Sequence, residues 1–192
     1  MKRAIVMDRD GTLCEDAGYL TRVNALQLVN QGARAVRRAR EAGFLVVVAT
    51  NQSGVARGLF PRERVERAHE RLRALLAREG AVLDGIYYCP HHPQAGPDPR
   101  ECNCRKPHPG MLLQAAHELE LDLGASYMIG DRFRDLEAGR RAGATPILVL
   151  TGQGREEVEY HSDDRVAATH VAPDLAGAVQ WILQRDTGVE NR

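Results

Sequence analysis

The sequence lacks net charge and lacks any apolar run long enough to span a membrane. Its 26 basic residues balance its 26 acidic residues, so no overall field attracts nucleic acid or a membrane surface. The N-terminus has no extended apolar region followed by small residues, which is the pattern of a secretory signal. We therefore expect a cytoplasmic protein without nucleic-acid or membrane partners. We also expect a monomer, because no apolar stripe remains outside the predicted core.

Cysteine is scarce, and its distribution is uneven. Three of the four cysteines share one segment with two histidines, which favours a metal site over disulfides in a reducing compartment. The closed ligand set that this segment offers to a tetrahedral Zn²⁺ ion is Cys89, His91, Cys102 and Cys104. His92 is an alternative to His91, and spacing alone does not choose between them. Because the loop from about 89 to 104 is rich in Pro and Gly, we expect a structural zinc ion to order it.

Short apolar runs alternate with amphipathic segments along the chain. The runs, which are typical of buried parallel strands, are Ala4–Met7, Phe44–Ala49, Gly85–Tyr88, Tyr127–Ile129, Pro146–Leu150 and Thr169–Val171. Helical periodicity is found over 32–42, 61–79, 109–120, about 132–142 and after Pro173. This alternation predicts an α/β fold with a Rossmann-like parallel sheet and helices on both faces. We expect one domain over 1–185 and a tail over 186–192.

The first predicted strand leads into the sequence Asp8-Arg9-Asp10-Gly11-Thr12. In a parallel sheet, ligands bind at the carboxyl ends of the strands, so both carboxylates stand where a site is expected. Two carboxylates one residue apart point in different directions, and one can attack while the other transfers protons. An Asp-Gly turn that only closes a strand is the alternative interpretation. The groups at the other strand ends decide between the two.

Complementary polar groups occur near the ends of other predicted strands. Hydroxyl, amide and cationic donors suited to phosphate oxygens are Thr50, Asn51, Gln52, Ser53, Arg105 and Lys106. Asp131 ends another strand, and Asp135 follows one helical turn later. The oxygens of Asp8, Asp10 and Asp131 could form part of the shell of a Mg²⁺ ion. Each group taken alone could be an ordinary polar turn or an exposed charge, but their order at successive strand ends favours one shared site.

These groups resemble the motifs of haloacid-dehalogenase-type phosphatases, which read here as Asp8-x-Asp10-Gly-Thr12, Thr50, Lys106 and Gly130-Asp131-x-x-x-Asp135. The resemblance covers nearly the whole chain and implies the fold of that superfamily, without a large cap domain. It implies that Asp8 attacks phosphorus to form an aspartyl-phosphate. Asp10 then protonates the leaving group and later deprotonates water, while Thr50 and Lys106 bind phosphate oxygens.

The same resemblance implies a catalytic metal. Mg²⁺ would be held by Asp8, the backbone carbonyl of Asp10 and Asp131, and Asp135 would orient this shell. The ion would reduce the repulsion between the anionic nucleophile and the phosphate.

The zinc loop narrows the resemblance to one branch, which contains the heptose bisphosphate and histidinol-phosphate phosphatases. The stretches that carry it are 8–12, 18–19, 50–58, 89–93 and 104–111. They imply hydrolysis of the 7-phosphate of a heptose 1,7-bisphosphate, in the nucleotide-activated heptose pathway that feeds lipopolysaccharide. Arg105 would recognise the phosphate that is not cleaved. The residues implied to contact substrate are Asp16, Ala17, Gly18, Tyr19, Thr50, Asn51, Gln52, Ser53, Arg105, Lys106 and Arg132.

One position departs from the branch that the chain resembles. Arg132 stands where a lysine is frequent, and arginine keeps the charge but changes reach and geometry. Histidinol-phosphate phosphatases can carry arginine there, so that activity remains an alternative. A zinc-stabilised binding protein without catalysis is an alternative of another class, because a fold does not guarantee a function. The intact set of Asp8, Asp10 and the other motif residues argues against it.

Overall fold

The computed structural model describes residues 1–19, 22–96, 99, 101–160 and 168–186. These residues form one six-stranded parallel sheet with the order β3-β2-β1-β4-β5-β6. The strands are β1 (Ala4–Met7), β2 (Leu45–Asn51), β3 (Gly85–Cys89), β4 (Tyr127–Gly130), β5 (Thr145–Val149) and β6 (His170–Ala172). The helices are α1 (Gly32–Glu41), α2 (Arg62–Arg78), α3 (Gly110–Leu119), α4 (Phe133–Ala142), α5 (Gly154–Tyr160) and α6 (Leu175–Asp186). The predicted α/β architecture is confirmed.

Two hydrophobic cores lie on opposite faces of the sheet. Ile5 and Met7 of β1 pack with apolar residues of α1, α2 and α6. Ala4 and Val6 alternate with them and pack with residues of α3 and α4. Because both faces are covered, a strand at the centre of the sheet is apolar at every position. This explains why the predicted strands appear in the sequence as continuous apolar runs.

The main difference from the predicted boundaries lies at the end of β2. The strand continues through Thr50 to Asn51, because Asn51 pairs with Cys89 of β3. The apolar run in the sequence predicts that this strand ends at Ala49. The polar groups of Thr50 and Asn51 therefore stand on a paired strand, which holds them more rigidly than a loop.

Two predicted segments extend beyond the described residues. Helix α6 continues to Asp186, and residues 187–192 of the predicted tail lie outside the described part of the chain. Positions 97, 98 and 100 of the predicted zinc loop also lie outside it. None of the helices in the described ranges is long and apolar enough to cross a membrane.

Candidate active site

A cavity of about 310 Å³ opens at the carboxyl ends of the central strands. Every predicted substrate contact except Ala17 contributes to its wall, and so do both predicted catalytic aspartates. Four further residues line it that the sequence did not assign as ligand contacts: Gly54, Phe60, Arg134 and Asp135. The cavity thus brings together side chains from widely separated strand ends, as the topology predicts.

Lys106 occupies the floor of this cavity and is only 1% exposed. Its ammonium forms ion pairs with Asp8 Oδ1 at 2.9 Å and Asp135 Oδ1 at 2.8 Å, and it donates a hydrogen bond to the carbonyl of Ala49 at 2.7 Å. Burial alone would lower the pKa of Lys106, but Asp135 and Asp8 outweigh that effect and raise it. The group therefore stays charged and holds the carboxylate of Asp8 in one orientation.

Asp131 is 1% exposed and is not among the residues that line the cavity. Its Oδ2 accepts a hydrogen bond from the backbone N–H of Gln153 at 2.9 Å, whereas its Oδ1 is buried and has no hydrogen-bond partner among the described residues. Burial, together with the nearby carboxylates of Asp135 and Asp8, raises the pKa of Asp131 to about 7. A buried oxygen without a donor and three crowded carboxylates are features that a bound cation would satisfy.

The three carboxylates offer oxygen atoms that lie within 4.8 Å of one another, those of Asp8, Asp131 and Asp135. Oxygen ligands of this kind suit Mg²⁺. Two glycines make room for Asp131: a Cβ on Gly11 would stand 2.3 Å from its Oδ2, and one on Gly152 would stand 2.2 Å from it. Gly11 also has a φ of +83°, which an L side chain rarely adopts.

Asp135 is already engaged on both of its oxygens. Oδ1 pairs with Lys106, and Oδ2 accepts the backbone N–H of Arg132 at 3.1 Å. The residue stands in the first turn of α4, and a Cβ at Gly130 would lie 2.3 Å from the Asp135 Cβ. This geometry supports the predicted orienting role: Oδ1 of Asp135 has the Lys106 ammonium beside it, whereas Oδ1 of Asp131 has neither a hydrogen-bond donor nor an ion-pair partner among the described residues.

Asp10 is held by donors from two loops. Arg9 Nε donates to its Oδ1 at 2.9 Å, and Arg9 Nη2 donates to its Oδ2 at 2.7 Å. Gln52 Nε2 donates to the same Oδ2 at 2.9 Å and to Thr50 Oγ1 at 3.0 Å. Because the Thr50 hydroxyl accepts this bond, its own hydrogen is available to a ligand oxygen.

Asn51 has a role that the sequence did not reveal. Its amide donates to the backbone carbonyl of Lys106 at 3.1 Å, and its Oδ1 accepts the Lys106 N–H at 3.1 Å. We predicted Asn51 as a substrate contact, and it does line the cavity. Both polar groups of its side chain nevertheless serve to hold the lysine segment against the end of β2.

The predicted zinc ligands converge. Cys102 Sγ lies 3.5 Å from Cys89 Sγ and 3.3 Å from Cys104 Sγ, and the Nδ1 of His91 lies 3.8 Å and 3.4 Å from the sulfurs of Cys89 and Cys104. Four ligands about 2.3 Å from a tetrahedral zinc ion stand about 3.8 Å apart, so the spacing is compatible with such an ion. Burial raises the pKa of the Cys89 thiol, as does its hydrogen bond with Cys104.

His92 lies outside this cluster. Its Nε2 is 3.1 Å from a guanidinium nitrogen of Arg57, and its Nδ1 accepts the N–H of Gln94. The structure therefore favours His91 between the two alternatives. The carbonyl of His91 in turn accepts a hydrogen bond from Arg105 Nη1 at 3.2 Å, which ties the cluster to the cavity wall.

The fold and the cavity together define a haloacid-dehalogenase-type phosphohydrolase. A family model described as HAD-hydrolase-like matches residues 103–178, which include Lys106 and the Asp131 loop. A relative from Escherichia coli (strain K12) named D-glycero-beta-D-manno-heptose-1,7-bisphosphate 7-phosphatase is 40% identical over 183 residues, covering 94% of this chain and 87% of its own length. A Yersinia pestis protein of the same name is 46% identical over 153 residues, with 78% and 81% coverage.

A solved structure supports the same assignment. The D,D-heptose 1,7-bisphosphate phosphatase from B. bronchiseptica, complexed with magnesium and phosphate, is 36% identical. It covers 95% of this chain and 99% of its own, with a TM-score of 0.84. The chain belongs to the heptose bisphosphate phosphatase family of the haloacid-dehalogenase superfamily, and it is a phosphoric monoester hydrolase.

Proposed function

We propose that the protein removes the 7-phosphate of D-glycero-β-D-manno-heptose 1,7-bisphosphate during the biosynthesis of nucleotide-activated heptose. The observation that carries the chemistry is Asp8, fixed on the cavity floor with its Oδ1 2.9 Å from the Lys106 ammonium. The substrate and the β anomer follow from the names of relatives with about 40% identity over most of the chain. Arg132, which also fits histidinol-phosphate phosphatases, makes that activity the alternative to test.

The reaction would proceed in two displacements at phosphorus. An oxygen of Asp8 bonds to phosphorus, and the bond to the sugar oxygen breaks as Asp10 donates a proton to that oxygen. Water then attacks the aspartyl-phosphate, and Asp10 accepts the proton that the water loses. Thr50 and Lys106 stand where they can stabilise the phosphoryl oxygens as charge builds on them.

Two metal ions complete the proposal. Mg²⁺ would be held by Asp8, Asp131 and the backbone carbonyl of Asp10, and when bound it neutralises charge on the phosphate. Oδ1 of Asp131 supports that site, because it is buried and has no hydrogen-bond partner among the described residues. Zn²⁺ would be held by the closed set of three thiols and one imidazole, Cys89, His91, Cys102 and Cys104. A closed set leaves no position for substrate, so this zinc is structural.

The uncleaved phosphate requires cations away from Asp8. Arg105, Arg132 and Arg134 all line the cavity, and burial lowers the pKa of Arg105, with help from the charge of Arg134. Arginines that repel one another across a cavity are well placed to bind a dianion between them. A bisphosphate would provide that second dianion, whereas histidinol phosphate would not.

The test compares phosphate release under Mg²⁺ from the β-heptose 1,7-bisphosphate, from its α anomer and from histidinol phosphate. We expect the highest kcat/KM for the β-bisphosphate, with ³¹P spectra showing loss of the 7-phosphate and retention of the 1-phosphate. A higher kcat/KM for histidinol phosphate would contradict the substrate and leave the mechanism intact. Release of phosphate from none of the three would contradict both.

A further inference from the structure

Arg9 has no part in the mechanism described above, yet it is one of the most deeply buried charges in the chain. It lies between Asp8 and Asp10 in sequence, its side chain is 1% exposed, and it is not part of the cavity wall. Arginine is almost never fully buried unless it is paired. Its position therefore calls for a partner, and the partner is the neighbouring Asp10.

The contact between Arg9 and Asp10 is a bidentate fork. Nε and Nη2 of Arg9 each donate to a different oxygen of the carboxylate, at 2.9 Å and 2.7 Å. Gln52 adds a third donor at Oδ2. A carboxylate has about four acceptor positions, so three fixed donors set its plane and leave about one position open. That remaining position belongs to Oδ1, on a side chain that lines the cavity.

Arg9 also contacts a histidine of α2. Its Nη1 lies 3.4 Å from Nε2 of His69 on α2, and the imidazole packs edge-to-face on Tyr88 of β3 with ring centroids 5.4 Å apart. Burial lowers the pKa of His69 to about 3, with help from the charges of Arg9 and Arg73. The ring is therefore neutral at pH 7 and can accept a hydrogen bond from the guanidinium.

We infer that Arg9, supported by His69, is a positioning residue that fixes the orientation in which Asp10 gives a proton to the leaving oxygen and takes one from water. This inference rests on the role proposed for Asp10. Arg9 transfers no proton: burial alone would lower the pKa of Arg9, but the charge and hydrogen bonds of Asp10, together with the charges of Cys14 and Asp8, raise it. A fork of this kind cannot be replaced by lysine without losing one of its two bonds.

The dependence on the leaving group separates this role from a general structural one. The kcat/KM value reports the steps up to departure of the leaving group. A sugar alkoxide must be protonated as it leaves, whereas 4-nitrophenolate leaves without a proton. A misplaced Asp10 therefore slows hydrolysis of the sugar phosphate far more than hydrolysis of 4-nitrophenyl phosphate.

We expect Arg9→Met to lower kcat/KM for the heptose bisphosphate by about 100-fold, within the range of about 10²–10⁴ for general acid catalysis. The value for 4-nitrophenyl phosphate should stay within about a factor of three, because that substrate needs no general acid. Arg9→Lys should give an intermediate loss. An equal loss on both substrates, or no loss on either, would overturn the inference.

Three further variants complete the experiment. Asp10→Asn must show the same leaving-group pattern; if it does not, the proposed role of Asp10 fails, and if only the Arg9 variants lack it, this inference alone fails. His69→Leu should reproduce the pattern more weakly, and it serves as the test if thermal unfolding shows that Arg9→Met does not fold. Arg67→Met, at an exposed position of the same helix, should leave both substrates unchanged.

Discussion

The two candidate metal sites of this chain lie close together but offer different kinds of ligand. The site at the strand ends uses the hard carboxylate oxygens of Asp8 and Asp131 and faces a cavity. The site at the end of β3 and in the loop that follows uses three thiols and one imidazole, whose ligand atoms lie within 4.8 Å of one another. Hard oxygen ligands with an open side suit a catalytic cation, and soft ligands in a closed set suit a structural one.

The two sites are also connected directly along the chain. Cys104 is the last ligand of the thiol cluster, Arg105 bonds to the carbonyl of His91, and Lys106 pairs with Asp8. Only Arg105 separates the cluster from the buried lysine. The loop proposed to bind zinc therefore also positions the groups that hold Asp8 and line the cavity. Loss of either metal should impair activity, but only loss of zinc should disturb this loop.

The largest effect is expected at the carboxylate site itself. Asp8→Asn replaces the attacking oxygen with an amide, so phosphate release should fall by about 10⁴-fold or more. The circular dichroism spectrum should not change, because the amide keeps the shape of the side chain. Glu118→Gln, on the exposed face of α3, is the matched control and should keep full activity. Substantial activity in Asp8→Asn would remove Asp8 as the nucleophile.

The next prediction concerns how pH and Mg²⁺ change the stability of the fold through Asp131. Its pKa of about 7 in the metal-free fold lies above the ordinary aspartate value of 3.8, so between those values the folded chain binds more protons than the unfolded chain. The contribution of Asp131 to stability therefore falls as pH rises through this window. The loss should be on the order of 2–4 kcal/mol, and millimolar Mg²⁺ should restore stability at pH 7.

Urea unfolding of the metal-free protein at a series of pH values measures this effect. Asp131→Asn cannot ionise, so its stability should depend less steeply on pH over the same window and should respond little to Mg²⁺. If the wild type and Asp131→Asn have the same pH dependence, Asp131 is not the group that the cation neutralises.

At the thiol site, the effect should be smaller and of a different kind. Cys102→Ser should remove zinc from the purified protein and lower activity by about 10-fold to 100-fold, because Arg105 and Lys106 lose their support. Metal analysis and proteolysis of the loop provide the measurement. Cys14→Ala removes a buried thiol outside the cluster and should keep one zinc per chain. Equal zinc contents in the two variants would contradict the assignment.

The smallest effect is expected at the cavity rim. Arg134→Gln removes one of three cations without touching Asp8, so kcat/KM for the bisphosphate should fall by about 10-fold, as for one charged hydrogen bond. The value for the corresponding 7-monophosphate should hardly change. Steady-state kinetics with the two substrates distinguish a contact to the second phosphate from a general loss, which would lower both values alike.

Much of the fold and of the site can be predicted because the strong signals are local. Buried parallel strands are apolar throughout, and the rule that ligands bind at strand ends selects the loops that contain Asp8 and Asp131. The cysteine cluster is visible in the sequence because its members lie within one loop. Chemistry that depends on residue type and chain order is therefore accessible from the sequence alone.

What cannot be predicted depends on contacts between distant segments. In the sequence Arg9 is only a spacer between two aspartates, and its role emerges when α2 brings His69 against it across 60 residues. Asn51 is predicted as a substrate contact, and its clamp on Lys106 spans 55 residues. Whether β2 ends at Ala49 or Asn51 depends on pairing with β3, which a single strand does not encode.

The stereochemical course at phosphorus tests the central claim most directly. A substrate made chiral at the 7-phosphate with oxygen isotopes and sulfur can be hydrolysed in labelled water, and the configuration of the product determined. Each in-line displacement inverts phosphorus, so attack by Asp8 followed by attack of water predicts overall retention. Inversion would mean that water attacks the substrate in a single step, and it would contradict the aspartyl-phosphate on which this account depends.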